Sequence, residues 1–87
     1  MPVTVEFFGT ARLHTRRPSI EVEAADLGEA LRQIEARFPD LEGKLFQKGR
    51  LLSSFRANVN GRQFVSDPAT PLSGGDSLLI ISADAGG

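Results

Sequence analysis

The run Ser77-Leu78-Leu79-Ile80-Ile81-Ser82 constrains the chain more than any other stretch. Side chains alternate between the two faces of a strand, so Leu78 and Ile80 point one way and Leu79 and Ile81 the other. A strand with no polar face belongs in the middle of a sheet, with a neighbour on each side. Cover for the faces must come from helices, and one helix is written clearly. Asp26 followed by Glu29 fits a capping box, Leu27, Leu31, Ile34 and Phe38 recur on one helical face, and Pro39 ends the helix by disfavouring helical geometry at Phe38. Arg32, Glu35 and Arg37 fall off that stripe, which makes the apolar stripe core. A single amphipathic helix covers one sheet face and leaves the other, the outline of a two-layer α+β domain.

The remaining strands follow from period-two alternation. Val3, Val5 and Phe7 share a face opposite Thr4, Glu6 and Phe8, so Phe8 is an apolar residue on the polar side. Gly9 to Ser19 reads as a loop carrying Arg12, His14, Arg16 and Arg17, after which Ile20, Val22 and Ala24 alternate with Glu21 and Glu23 in a second strand. The basic loop reads as an ordinary solvated one, and His14, the only histidine, has no obvious partner for metal or proton transfer. Leu41, Leu45 and Phe46 suggest one short helical turn, and Gly49 and Arg50 open a loop around Leu51 and Leu52. Phe55, Ala57 and Val59 form another inward-facing set, and Asn60-Gly61 is a strong hairpin signal that returns the chain as a short strand at Gln63 to Val65. Pro68, Pro71, Gly74 and Gly75 mark a turn-rich loop before the last strand. With 87 residues and 40% apolar content, the chain is expected to form one domain over residues 1–87, built as a mixed sheet of four to five strands with one main helix.

The sequence closes on Ser82-Ala83-Asp84-Ala85-Gly86-Gly87, expected to be a flexible tail. Without Cβ atoms Gly86 and Gly87 fit narrow channels closed to other residues. The group so presented is the Gly87 carboxylate, which is ionised near neutral pH and a poor electrophile. Chemistry there requires activation, most simply as an acyl-adenylate formed from ATP.

Composition limits what else the chain does. Ten Lys and Arg stand against eleven Asp and Glu, a balance that offers no overall attraction to nucleic acid or an anionic membrane. Without cysteine there is no disulfide, no thiolate metal site and no Cys nucleophile, so no metal centre is expected and any sulfur chemistry uses borrowed sulfur. The amino terminus has no basic segment followed by an apolar run, and no stretch approaches the ~20 apolar residues of a membrane span. A cytoplasmic location is expected.

Taken in order, hairpin first, helix next and central strand last, the elements give the β-grasp, or ubiquitin-like, topology. Several residues also resemble one family, the small sulfur carriers typified by the small subunit of molybdopterin synthase (MoaD) and the thiazole-synthesis carrier (ThiS). The resemblance rests on Phe7-Phe8-Gly9 followed by Ala11-Arg12, the Leu31 to Pro39 helix end, Val59-Asn60, the run Leu72-Ser73-Gly74-Gly75-Asp76, and Ala85-Gly86-Gly87.

The resemblance implies that Gly87 is adenylated by an ATP-dependent, ubiquitin-activating-type enzyme (MoeB/ThiF-like) and converted to a thiocarboxylate. The sulfur then passes to an acceptor synthase, for example the large subunit of molybdopterin synthase. The chain itself would be a carrier or small synthase subunit, not an enzyme, and would bind no cofactor, ATP being used by the partner. It also implies docking through apolar residues near Phe8, Phe64 and Ile81, to which the strand pattern adds Leu79 and the tail adds Asp84 and Ala85. The resemblance puts molybdopterin first as acceptor pathway. Molybdopterin-type members commonly carry Pro-Pro where this chain has Ser82-Ala83-Asp84, a departure that bears on the pathway more than on the carrier role, so thiazole and cysteine stand beside it. The same adenylate attacked by a lysine amine would make the chain a protein modifier, and a β-grasp interaction module with an incidental tail is the third reading.

Overall fold

The computed structural model describes residues 1–83. Its main sheet has five strands in the order β2-β1-β7-β5-β6, where β1 is Val3–Phe7, β2 Ser19–Val22, β5 Phe55–Val59, β6 Gln63–Val65 and β7 Ser77–Ser82. The double-sided apolar strand β7 is central, parallel to β1 (Val5 opposite Leu78) and antiparallel to β5 (Ala57 opposite Ile80). This is the expected β-grasp arrangement, with β1 and β2 antiparallel at one side and β5 and β6 antiparallel at the other. The strand β7 extends through Ser82, the first residue of the stretch read as tail.

The long helix, α2 (Leu27–Arg37), covers one face of the sheet. Val3, Val5, Phe7, Leu78 and Ile80 are buried beneath it together with Leu27, Leu31 and Ile34, and Val59 packs at the margin. Phe38 caps the helix C-terminus and sets its ring edge-on to Phe7, with centroids 5.9 Å apart. At the other end Glu29 N–H donates to Asp26 Oδ1 at 2.8 Å, as a capping box requires. The return bond differs from the usual box, because Glu29 Oε1 accepts from Ala25 N–H (3.1 Å), one residue before the cap.

Two segments correct the sequence reading. The basic loop contains a helix, α1 (Gly9–Thr15), which buries Ala11 and Thr15 one turn apart and packs against β7. Two buried residues in seven leave too little pattern for a period, and Gly9, at φ +56°, reads locally as a turn. Farther on, the expected helical turn and loop are a 3-10 turn at Pro39–Leu41 followed by a small hairpin, β3 (Phe46–Gln47) with β4 (Arg50–Leu51). The hairpin turns at Lys48-Gly49 with positive φ at both residues (53° and 76°). A lysine in the left-handed region is uncommon, so the dipeptide carries no turn signal of its own.

Asn60-Gly61 does turn with positive φ at both positions (58° and 72°). The Asn60 side chain then adds a tertiary role: Nδ2 donates to Asp76 Oδ1 (3.0 Å), and Oδ1 accepts from Ser77 N–H (2.8 Å). Asp76 Oδ2 also accepts from Ser73 N–H at 2.8 Å. These bonds tie the β5–β6 turn to the start of β7 and fix its register. Gly74 is required beside them, since a Cβ there would lie 2.8 Å from the Met1 carbonyl oxygen. The Ser73 N–H, and after it the Asn60 amide, hold the Asp76 carboxyl below its usual value of 3.8.

Two expected outcomes test this packing. Leu31→Ala and Ile34→Ala, at buried positions, should each lower the unfolding free energy by about 2–5 kcal/mol in urea titrations. For Asp76, a carboxyl pKa lowered by folding stabilises the native state above the unfolded value, and that contribution is lost as pH falls through the folded value. The stability advantage of wild type over Asp76→Asn should therefore be full at neutral pH and shrink on acidification below the ordinary carboxylate range. A pH-independent gap in urea midpoints would refute the linkage.

Candidate docking face

Cross-strand partners point to the same side of a sheet, so the register defines the face that α2 does not cover. One row crosses all five strands: Ser19, Glu6, Leu79, Asn58 and Phe64. In the next row Ile81 lies opposite Arg56. Phe8 follows the end of β1 in extended conformation (φ −127°, ψ 154°), which turns its ring away from Phe7, and its N–H donates to Ile80 O at 3.0 Å. The four expected docking residues within the described chain are thus on one face. Phe8 is 41% and Phe64 58% exposed, whereas Leu79 and Ile81 are half-buried.

The loop before β7 leaves this face open. It runs instead to the start of α2, where Leu27 N–H donates to Thr70 O, Gly28 N–H to Pro68 O, and Leu72 N–H to Ala25 O. The helix α1 also sits away from the face, its Ala11 joining the core and His14 lying edge-on to Phe55 at 6.4 Å.

Sequence reasoning missed Asn58 in the middle of the row. Its side chain is 8% exposed, and Oδ1 is buried without a hydrogen-bond partner among the described residues. Alternation from Phe55, Ala57 and Val59 already placed residue 58 on the open face, yet the burial comes from its neighbours on β6 and β7. Leu13, 76% exposed on α1, is an apolar surface residue that lay hidden in the presumed loop.

Asp84, Ala85, Gly86 and Gly87, the remaining expected site residues, lie outside the described residues. Ala83 N–H donates to Ser54 O at 2.7 Å, so the chain leaves the sheet beside the start of β5. The open face and the departing chain therefore share β7. Among the described residues no cluster of three or more His, Asp or Glu could hold a metal ion, and no helix is long and apolar enough to cross a membrane.

Comparison with known proteins bears on this geometry. The ThiS family model matches residues 5–87. The chain belongs to the ThiS family. Small archaeal modifier protein 3 of Haloferax volcanii is 32% identical over 92 residues, with each chain wholly covered. Among solved structures, one in the BexX/CysO complex of Amycolatopsis orientalis is 28% identical with a TM-score of 0.77, covering 98% of this chain and 99% of that one. Another, in the complex of subunits 1 and 2 of the Helicobacter pylori molybdopterin-converting factor, is 26% identical with a TM-score of 0.67 and full coverage of both chains. These similarities establish the ubiquitin-like β-grasp fold for this family member.

The exposed rings give a direct check on the assignment of faces. Phe8→Ala and Phe64→Ala should each cost under about 1 kcal/mol of stability. Phe7→Ala, on the buried side of the same strand, should cost about 3–5 kcal/mol. Urea titrations of the three variants decide it, and a large loss for Phe8→Ala would mean that its ring belongs to the core.

Proposed function

We propose that this ThiS-family protein is a sulfur carrier acting through Gly87 as a co-substrate. A ubiquitin-activating-type enzyme transfers AMP from ATP to the Gly87 carboxylate and releases pyrophosphate. Sulfide, or its equivalent from a sulfur donor, attacks the adenylated carbonyl and expels AMP, leaving a thiocarboxylate. The carrier then delivers that sulfur to an acceptor synthase, with molybdopterin as the leading pathway and thiazole or cysteine as alternatives. The partners supply the nucleotide site and the catalytic groups, and the carrier supplies the carboxyl group and the docking surface.

The observation that carries the reading is the family match through Gly87, in a fold whose open apolar face and C-terminal segment share one strand. Leu79 and Ile81 lie on that face two to four residues before the chain leaves the sheet at Ala83. A protein seated there is well placed to receive Gly86 and Gly87. An apolar patch on a domain this small is a plausible partner surface, since the area left half-covered in the free protein is removed from water in the complex. Complexes such as those containing the Amycolatopsis and Helicobacter relatives support partner binding as the general mode of action.

One observation favours a second reading. The full-length similarity to small archaeal modifier protein 3 supports a modifier role, in which a lysine amine replaces sulfide as the nucleophile and forms an isopeptide bond to Gly87. The activated intermediate is the same, so the roles are compatible in one protein.

Intact mass after incubation with ATP, a ubiquitin-activating-type enzyme and sulfide tests the carrier chemistry. Replacement of one carboxyl oxygen by sulfur adds about 16 Da when the adenylate is captured by a sulfur nucleophile. The shift should map to Gly87 and disappear when an alanine is appended after it. Absence of the shift alongside lysine conjugates that depend on Gly86-Gly87 would establish the modifier in its place.

A further inference from the structure

The two edges of the sheet are finished differently. On the β2 edge, α2 side chains reach over the backbone: Arg37 donates to Glu21 O at 2.8 Å, and the Gln33 side-chain amide both donates to Glu23 O and accepts from Glu23 N–H. These side chains occupy the position that an added strand would need. On the β6 edge, Gln63, Phe64 and Val65 make no backbone hydrogen bond beyond the β5 ladder among the described residues. None of the three is charged and none is proline, so beyond its shortness the strand itself carries no edge protection.

Around this edge is a cleft of about 410 Å³ that runs from Leu27 and Leu31 of α2 to Arg56 and Phe64 at the margin of the open face. It opens because β6 is shorter than β5. Ala57 opposite Val65 is the last pair, leaving Phe55 and Arg56 without a β6 residue opposite them. Leu27, Leu31, Leu51, Leu52 and Val65 give the cleft apolar walls, Arg50 and Arg56 stand at it exposed, and among the described residues no acidic one lines it. Arg62 adds a third exposed cation at the opposite end of β6. Among the described residues none of the three guanidinium groups has an ion-pair or hydrogen-bond partner.

We propose that the β6 edge and its cleft bind a short extended peptide segment of a partner protein, apolar and acidic in composition. The segment adds to β6 through main-chain hydrogen bonds, lowers one apolar side chain into the cleft, and sets acidic side chains against Arg50, Arg56 and Arg62. Each feature excludes something: the unpaired edge selects extended backbone, the apolar walls exclude a fully charged segment, and the three cations exclude a basic one. This surface meets the open face at Arg56 and Phe64 but is centred on the β6 edge and the α2 side rather than on Leu79 and Ile81, and it does not depend on chemistry at Gly87.

The test uses the full chain and a synthetic peptide alternating valine and aspartate, acetylated and amidated at its ends, with a valine–lysine peptide as control. Isotope-edited NMR titration should show saturable binding of the acidic peptide, with amide shifts concentrated at Leu51, Leu52 and Gln63 to Ser66 and slowed exchange at the β6 edge. The double variant Arg50→Glu with Arg56→Glu, folded by its unchanged thermal melt, should bind the acidic peptide about tenfold more weakly or worse and gain affinity for the lysine peptide, as charge complementarity requires. The proposal is overturned by an absence of saturable binding, by equal binding of the two peptides, or by shifts centred on Leu79 and Ile81. It is also overturned if sedimentation shows the protein pairing with itself through β6 and the peptide fails to compete, since the occupant is then a second copy.

Discussion

The pairing of β7 between β1 and β5 is the constraint from which the rest of the structure follows. Leu78 and Ile80 are completely buried against α2, and each such side chain contributes about 1.5–3 kcal/mol relative to exposure. Leu79 and Ile81, equally apolar, remain half-buried because the single long helix lies on the other side. Part of their burial energy is therefore not realised in the free protein and is available to whatever covers them. One strand thus supplies both the centre of the core and the centre of the open face.

Both ends of β7 are held by bonds outside the ladder. Asn60, Asp76, Ser73 and Ser77 fasten its start to the β5–β6 turn, and Ala83 N–H to Ser54 O fastens its end to the approach of β5. A shift of one residue would exchange Leu78 and Ile80 for Leu79 and Ile81 against α2 and reverse every side chain of the strand. The clamp at Asn60 and Asp76 therefore protects more than a turn. It keeps Leu79 and Ile81 on the open face.

What could be read from the sequence was whatever one segment expresses alone. The period of Leu27, Leu31 and Ile34, the alternation in β1 and β5, the Asn60-Gly61 turn and the double-sided β7 each carry their own pattern, and together they define the fold and most of the open face. What escaped is decided between segments. The helix α1 is too short to show a period, and it is held by burial of Ala11 and Thr15 against the rest of the fold. The β3–β4 hairpin turns on Lys48 in a conformation that lysine seldom adopts. Asn58 lies at a position that alternation assigns correctly, while its burial depends on which strands flank it.

The contrast between the sheet edges belongs to the same class of information. Arg37 and Gln33 lie off the apolar stripe of α2 and would pass for solvated surface residues in any reading of the helix alone. Their reach to Glu21 and Glu23 is visible only once β2 is known to be the edge strand beneath them. An 87-residue domain has limited side-chain material with which to cover its perimeter, and the single long helix whose Arg37 and Gln33 finish the β2 edge has no side chain hydrogen-bonded to the β6 backbone among the described residues. Leaving one edge bare exposes a site for unwanted strand pairing, and the arginines around β6 restrict that pairing. Two copies approaching edge to edge would bring Arg50, Arg56 and Arg62 of each toward those of the other, so like-charge repulsion opposes self-association while an acidic segment is attracted.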